Sequence, residues 1–242
     1  MSRKTLLLTG ASRGIGHATV RRFNAEGWRV ITCSRHPFPE ECPWGGGRAD
    51  HVQLDLSDPA ETINAVGAIQ EKLDGRLDAL VNNAGISPKG PNGERLSTLD
   101  TDLMDWAKVF HVNFFASVVL ARGLKDELAA AKGTVVNVTS IAGSRVHPFA
   151  GAAYATSKAA LAALTREMAH DFGPLGVRVN AIAPGEVETA ILSPGTEKIV
   201  EKLPLQRLGQ PEEVASAIYF LCSPESSYIS GAEIEVNGAQ HV

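Results

Sequence analysis

A tyrosine and a lysine four residues apart, Tyr154 and Lys158, are the pair in this chain best suited to acid–base chemistry. On a helix, residues at i and i+4 lie on the same face, so the ammonium would lie beside the phenol. A free tyrosine has a pKa of about 10, and a neighbouring cation favours the phenolate and lowers that value. Because this spacing also arises by chance, the surrounding fold has to support the interpretation.

Polar residues upstream of this pair add to the constellation. Residues 136–140 have the pattern of a buried strand end, and Tyr154 begins the helix that follows. The carboxyl ends of parallel strands are where α/β sheets bind ligands. Ser140 could donate a hydrogen bond to a substrate oxygen there; the alternative is that Thr139 or Ser140 serves only as a turn residue. Asn113 lies within a long apolar helical segment, where an amide is unfavourable without a specific partner.

A glycine-rich turn follows the first apolar run of the chain. It reads Thr9-Gly10-Ala11-Ser12-Arg13-Gly14-Ile15-Gly16, and a helical pattern starts within it. Such glycines allow a tight turn and a close approach of ligand to backbone, and a helix N-terminus offers free N–H groups to a pyrophosphate. A turn without a ligand is the alternative. The position between a strand and a helix favours phosphate binding.

Short apolar runs alternate with longer helical patterns along the chain. Strands are predicted at residues 5–8, 29–33, 51–54, 77–81, 134–138, 178–183 and 234–236, mostly as continuous apolar runs typical of strands covered on both faces. Helices are predicted at residues 14–26, 59–73, 103–131, 153–172 and 211–221. This order predicts an α/β fold, a single Rossmann-type doubly wound parallel sheet flanked by helices on both faces. One dinucleotide-binding and catalytic domain is expected over residues 1–242.

Two details of this organisation can be tested. Ser57, followed by Pro59 and Glu61, is expected to start the second helix. Residues 36–47 contain three prolines and three glycines, so a loop crossover is expected there in place of a helix.

Composition restricts the class of protein. The chain is 44% hydrophobic and 21% charged, as in ordinary soluble enzymes, and its net charge of -4 argues against nucleic acid or a membrane surface as the main partner. Cys33, Cys42 and Cys222 form no C-x-x-C pair and the histidines show no ligand spacing, so neither metal nor disulfides are expected. The apolar run at residues 6–8 is too short for a signal peptide, which favours a cytoplasmic location.

Together these motifs resemble the short-chain dehydrogenase/reductase family, in particular its 3-oxoacyl-acyl-carrier-protein-reductase-like subgroup. The glycine turn has the family spacing T-G-x-x-x-G-x-G. Further matches follow in order at N-N-A-G (82–85), S-x-x-G (140–143), N-x-x-x-P-G-x-x-x-T (180–189), R-L-G-Q-P-E-E-V-A (207–215) and S-G (230–231), while the usual closing Gly-Gly is Gly238-Ala239 here.

The resemblance implies a catalytic tetrad of Asn113, Ser140, Tyr154 and Lys158, and hydride transfer between a ketone or aldehyde and an alcohol. In the family the asparagine lies at a helix irregularity and holds a water that bridges to the lysine. The implied cofactor-binding residues are Gly10, Ser12, Arg13, Gly14, Ile15, Gly16, Ser34, Arg35, Asp55, Leu56, Asn83, Ala84, Gly85, Tyr154, Lys158, Pro184, Gly185, Val187 and Thr189. The Thr189 hydroxyl, together with the backbone at Ile182 outside this set, would hold the nicotinamide carboxamide.

The end of the second predicted strand bears on the choice of cofactor. It reads Cys33-Ser34-Arg35 and has no carboxylate for a ribose 2′-hydroxyl, whereas an arginine can pair with the 2′-phosphate of NADP. Arg13 could approach the same phosphate. NADP(H) is therefore favoured, with NAD(H) and two merely solvated arginines as the alternative.

The substrate loops are the least determined part. Ser140 and Tyr154 are one residue further apart than in the commonest family spacing, so we expect a bulge within residues 144–149. His147 in that loop is expected to contact the substrate or the loop, not to act as a second acid–base group. Residues 190–201 are expected to form a mobile lid.

Several alternatives remain open from the sequence. The chain could be a nucleotide-binding sensor that has lost its chemistry, a lyase or isomerase on the same fold, or a 3-oxoacyl-carrier-protein reductase in place of an enzyme for small carbonyl compounds. No basic face stands out for docking an acidic carrier protein. The predicted helices at 103–131 and 153–172 resemble the dimer-forming pair of the family, which implies a homo-oligomer, either a dimer or a tetramer.

Overall fold

The computed structural model describes residues 3–37, 47–189 and 197–242. Its strands are β1 (Thr5–Thr9), β2 (Arg29–Ser34), β3 (His51–Gln53), β4 (Ala79–Asn82), β5 (Thr134–Val138), β6 (Arg178–Pro184) and β7 (Glu233–Val236). Its helices are α1 (Gly14–Ala25), α2 (Pro59–Gln70), α3 (Leu103–Phe110), α4 (Ala116–Gly123), α5 (Lys125–Ala131), α6 (Ala152–Phe172), α7 (Glu197–Val200) and α8 (Pro211–Cys222). The seven predicted strands are confirmed, with ends that differ by no more than two residues.

The strands form one parallel sheet in the order β3-β2-β1-β4-β5-β6-β7, which confirms the doubly wound fold. Buried residues of α1 and α8 pack on one face of the sheet, and those of α2, α4 and α6 pack on the other. Leu7 belongs to one of these layers, whereas Leu6 and Leu8 belong to the other. This alternation is the reason why β1 is apolar throughout.

The strand order reverses at β1. This strand pairs with β2 on one side and with β4 on the other. The connections that leave β1 and β4 therefore diverge, and they open a crevice at the carboxyl ends of these two strands. The glycine turn follows β1 and the N-N-A-G segment closes β4, and both lie in that crevice. The topology therefore positions the predicted phosphate turn where α/β sheets bind ligands.

The prediction of one continuous helix over residues 103–131 is wrong. A π-helical turn, His111–Phe115, separates α3 from α4, and α4 ends at Gly123 before α5 begins at Lys125. Gly123 packs so close to α2 that a Cβ there would lie 2.7 Å from Val66 Cγ1. By length and composition alone, Leu103–Gly123 could cross a membrane, but core helices of soluble proteins pass the same test, and here α3 and the π turn pack on α6.

The expected start of the second helix also needs correction. Asp58 caps α2, because its carboxylate accepts hydrogen bonds from the backbone N–H groups of Ala60 and Glu61. Ser57 instead donates to Asp55 Oδ1 at 2.8 Å. Of the expected loop crossover, residues 38–46 lie outside the described residues, and the described part ends in a short 3₁₀ helix, Gly47–Asp50. Residues 190–196 of the expected lid are likewise outside the described ranges.

Candidate active site

A cavity of about 510 Å³ opens at the carboxyl ends of the central strands. Every predicted cofactor-binding residue lines it, and so do the predicted catalytic residues Ser140, Tyr154 and Lys158. Asn113 does not line the cavity; it is 1% exposed and lies behind its wall. The fold thus brings together residues that are dispersed over most of the sequence.

Only glycine fits at Gly10, Gly14 and Gly16, the three glycines of the turn after β1. Gly10 and Gly14 have φ values of +70° and +54°, and a Cβ on Gly16 would lie 2.0 Å from the carbonyl oxygen of Gly10. Asn83 Nδ2 donates to the carbonyls of Thr9 and Gly10 at 3.1 and 2.9 Å, which ties the turn to the end of β4. The bare backbone beside the N-terminus of α1 is the shape that a dinucleotide pyrophosphate requires.

Replacing Gly16 with Ala is expected to lower the free energy of unfolding by about 1–3 kcal/mol, because the new methyl group meets backbone that cannot move aside. The distorted turn should also weaken nucleotide binding. The matched control is Gly67→Ala on the exposed side of α2, where nothing lies within 4 Å of the new Cβ; it should stabilise the protein by about 0.5–1 kcal/mol. Denaturant unfolding of both variants checks this, and a Gly16→Ala protein as stable as the wild type would contradict it.

Cationic side chains gather where β2 and β3 end. Arg35 is exposed directly after β2, and Arg13 is exposed at the N-terminus of α1. Burial tends to raise the pKa of Asp55, but hydrogen bonds from Ser57 and the charges of Arg35 and Lys108 outweigh it and lower that pKa. This end of the cavity therefore combines an ionised carboxylate with several positive charges.

Tyr154 and Lys158 lie in the first turns of α6, as predicted. Lys158 is 3% exposed, and its Nζ donates a 2.6 Å hydrogen bond to the carbonyl of Val138, at the end of β5. Burial lowers the pKa of Lys158 to about 8. Its Nζ lies 5.8 Å from the centre of the Tyr154 ring, so the cation flanks the phenol in the way the spacing predicts.

The pKa of Tyr154 is raised, whereas the neighbouring lysine was expected to lower it. Burial raises it, a hydrogen bond with Ser140 acts in the opposite direction, and the negative charge of Glu186 raises it further. The cation of Lys158, 5.8 Å from the ring centre, does not reverse this rise. In the protein alone, the phenol is therefore held in its protonated form.

Asn113 lies in the π turn, which confirms the expected helix irregularity. Its side-chain amide pairs with the backbone of Ile86, accepting from N–H at 2.9 Å and donating to C=O at 3.0 Å. It also donates to Ser157 Oγ, which in turn donates to the carbonyl of Tyr154. A Cβ on Gly85 would lie 3.4 Å from Lys158 Nζ and 3.6 Å from Asn113 Oδ1, so the two groups flank the same small space.

Two ionisable residues that no sequence motif pointed to, Lys89 and Glu186, lie near His147, which was predicted to be a loop or substrate contact. All three line the cavity. Nε2 of His147 lies 2.6 Å from Oε1 of Glu186, without the alignment of a well-formed hydrogen bond, and each side chain is 9% exposed. A signal for Glu186 was present, since it follows Pro184-Gly185 directly at the end of β6.

The prediction that the backbone at Ile182 holds the nicotinamide carboxamide is wrong. Its carbonyl accepts hydrogen bonds from the N–H and Oγ1 of Thr139 at 2.8 and 2.9 Å, and the residue is buried within β6 and does not line the cavity. Val187 and Thr189, which follow the strand, do line it. Ile182 lies two residues before the end of β6 and pairs there with both β5 and β7, so its backbone is not free to bind a ligand.

The chain matches a family model described as enoyl-(acyl carrier protein) reductase over residues 10–241. Protein FixR of Bradyrhizobium diazoefficiens is 58% identical over 99% of this chain and 87% of the relative. Meso-2,3-butanediol dehydrogenase of Serratia marcescens is 35% identical over 97% of this chain and 93% of the relative. A solved oxidoreductase of the short-chain dehydrogenase/reductase family from Brucella ovis, in complex with a partially ordered NAD, is 58% identical with a TM-score of 0.85, covering 98% of this chain and all of that chain.

Proposed function

This chain belongs to the short-chain dehydrogenase/reductase family, and we propose that it interconverts a ketone or aldehyde and the corresponding alcohol, in particular a secondary alcohol, by NADP(H)-dependent hydride transfer. The observation that carries the proposal is that Ser140, Tyr154 and Lys158 line one cavity with a phosphate-type glycine turn. The name of the Serratia marcescens relative, a butanediol dehydrogenase, supports the reaction type.

In this mechanism each residue has a defined role. When bound, the nicotinamide ring supplies or accepts the hydride. During reduction the Tyr154 hydroxyl donates its proton to the substrate oxygen, and during oxidation the Tyr154 phenolate accepts that proton. The Ser140 hydroxyl donates a hydrogen bond to the same oxygen and stabilises the developing alkoxide. The protonated Lys158 favours the phenolate electrostatically.

Asn113 serves as a positioning residue in this proposal. Its contacts with Ile86 and Ser157 join the segment after β4 to the first turn of α6, where Tyr154 lies. The space at Gly85 between Asn113 Oδ1 and Lys158 Nζ is the place for a water that passes protons to the lysine. The π turn is what points this amide inward from an otherwise apolar helix.

The preference for NADP(H) rests on charge. Arg35 and Arg13 can pair with a 2′-phosphate, and Lys108 contributes to the positive potential at the same end of the cavity. The Brucella ovis structure was obtained with NAD, so NAD(H) is the alternative cofactor for this chain.

Replacing Arg35 with Ala is expected to raise the dissociation constant for NADPH by about 10- to 100-fold, because a charge-assisted hydrogen bond to the phosphate is lost. The constant for NADH should change by less than about threefold, since NADH has no 2′-phosphate. Fluorescence titration of both nucleotides measures the two effects. Arg166→Ala, on the exposed side of α6, is the control and should alter neither constant. Tighter binding of NADH than NADPH by the wild type would refute the assignment.

A carrier-protein substrate remains the second candidate, because the matching family model is described as enoyl-(acyl carrier protein) reductase. Such an enzyme would have to dock an acidic partner beside the cavity. The candidates separate in a single assay series that follows the absorbance of reduced nicotinamide with small ketones, alcohols and a 3-oxoacyl thioester. Turnover of none of these with either NADPH or NADH would refute the proposed function.

We also infer a homo-oligomeric enzyme of a single domain located in the cytoplasm. Large apolar side chains are exposed at the start of α3, with Leu99, Leu103 and Met104 at 94%, 81% and 76% exposure. Exposed apolar residues grouped in this way are typical of a subunit interface. Size-exclusion chromatography with light scattering distinguishes a monomer from a dimer or a tetramer.

A further inference from the structure

The substrate side of the cavity carries three ionisable groups that the hydride-transfer mechanism does not use. From them we propose that Glu186, which lies beside His147, is a specificity-determining residue that binds a second hydroxyl group of the substrate, close to the carbon that is oxidised or reduced. This inference rests on the proposed oxidoreductase function and deepens it. It predicts a substrate of the hydroxyketone or diol class.

The three groups come from different segments of the chain, and Phe149 is hydrogen-bonded to two of them, Lys89 and His147. Lys89 follows β4, His147 precedes α6 and Glu186 follows β6. Lys89 Nζ donates a hydrogen bond to the carbonyl of Phe149, and the N–H of Phe149 donates to Nδ1 of His147 at 3.3 Å. In the neutral imidazole the proton is therefore on Nε2, the atom that lies 2.6 Å from Glu186 Oε1.

One oxygen of the Glu186 carboxylate remains available. Oε1 faces His147, whereas no hydrogen bond to Oε2 is formed by any residue in the described part of the chain. A largely buried carboxylate that borders a cavity requires donors for its remaining lone pairs. A hydroxyl group of a bound substrate satisfies that requirement.

The charges of the cluster select for a neutral donor. Lys89 contributes one positive charge and Glu186 one negative charge, and these two groups interact electrostatically. An ammonium group on the substrate would be repelled by Lys89, and a carboxylate would be repelled by Glu186. A hydroxyl group meets neither repulsion and can donate to the carboxylate in a charge-assisted hydrogen bond.

Glu186 also has the location and the rigidity that specificity requires. It lies close enough to Tyr154 for its charge to act on the phenol, so a group bound to it is near the reacting carbon. Its backbone N–H donates to Gln240 Oε1 at 3.3 Å, and Arg145 donates to the backbone carbonyl of Gln240. Gln240, in the C-terminal segment, thus contacts both the loop that carries Glu186 and the loop that carries His147. A preorganised acceptor discriminates better than a mobile one.

The test compares substrates that differ by a single hydroxyl group. The ratio of kcat/KM for 2-hydroxycyclohexanone to that for cyclohexanone is measured with NADPH in the wild type, in Glu186→Gln, in Glu186→Ala and in a control, Glu167→Gln, on the exposed side of α6. In the wild type this ratio should be about 10 to 100. It should approach one in Glu186→Ala, fall partly in Glu186→Gln and keep its wild-type value in the control.

The ratio isolates the hydroxyl contact, because any effect of the Glu186 charge on Tyr154 alters both substrates alike. Thermal unfolding of each variant shows that it is folded. A wild-type ratio near one, a ratio that Glu186→Ala leaves unchanged, or a preference for the charged analogue 3-oxocyclohexanecarboxylate would overturn the inference. Turnover of cyclohexanone in those cases would leave the proposed function intact, whereas turnover of no ketone or alcohol would overturn the function itself.

Discussion

Replacing Tyr154 with Phe is expected to lower kcat for ketone reduction by about 10²- to 10⁴-fold, while the dissociation constant for NADPH changes by less than about threefold. The substitution removes only the hydroxyl group that gives its proton to the substrate oxygen. The ring and its packing beside Lys158 Nζ, 5.8 Å from the ring centre, are retained. The loss should therefore affect the chemical step and not the binding of the cofactor.

Single-turnover measurement of NADPH oxidation, together with a fluorescence titration of NADPH, separates the two quantities. Tyr228→Phe is a matched control, because Tyr228 is fully exposed and far along the chain from the cavity-lining residues. A Tyr154→Phe enzyme with more than a tenth of the wild-type rate would exclude the phenol as the proton donor and would remove the basis of the proposed mechanism.

Replacing Lys158 with Met is expected to reduce kcat/KM by about 10²- to 10⁴-fold without destabilising the fold. Methionine fills similar space but carries no charge, so the phenolate of Tyr154 loses its neighbouring cation. For alcohol oxidation, which needs the phenolate, the rising limb of the pH–rate profile should move to higher pH. The measurement is kcat/KM for oxidation of a secondary alcohol across the pH range.

The stability of the same variant provides an independent test. A pKa lowered from 10.5 to about 8 corresponds to a cost of about 3 kcal/mol for burying the ammonium. That cost is fully present below about pH 8 and disappears as the pH rises past about 10.5, because the pKa of the folded state lies below that of the unfolded chain. The carbonyl of Val138 loses its donor, which offsets part of the gain.

Lys158→Met should therefore be at least as stable as the wild type near neutral pH, and any advantage should shrink in alkaline buffer. Lys125→Met, at an exposed ion pair with Asp126, serves as the control and should change neither activity nor melting temperature by much. A large fall in the melting temperature of Lys158→Met would assign the lysine a structural role and contradict its place in the chemistry.

Much of the molecule could be predicted because the relevant signals are local. The glycine turn, the strand ends and the Tyr154–Lys158 pair each depend on residues that are adjacent in the chain or one helical turn apart. The continuous apolar runs predicted a sheet covered on both faces, since each strand supplies side chains to two layers. Every predicted cofactor-binding residue lines the cavity, most of them because they lie at or shortly after a strand end, whereas Tyr154 and Lys158 reach it from the first turns of α6.

Local patterns did not determine where elements are interrupted. The apolar periodicity over residues 103–131 predicted one helix, yet the π turn at Asn113 and the close contact of Gly123 with Val66 divide it. Both interruptions depend on a partner elsewhere in the chain, Ile86 in one case and α2 in the other. Periodicity contains no information about such partners.

The sequence by itself determined the fold class, the glycine turn and the placement of Tyr154 and Lys158 on one helix, because these follow from adjacency and from helical or strand period. Only the tertiary structure decided the environment of Tyr154, where burial and Glu186 raise the pKa that Lys158 was expected to lower. It alone brought Lys89 and His147 to Glu186. Parallel strands whose ends meet at one edge of a sheet bring distant loops together, and the distances between those loops are not encoded in any local spacing.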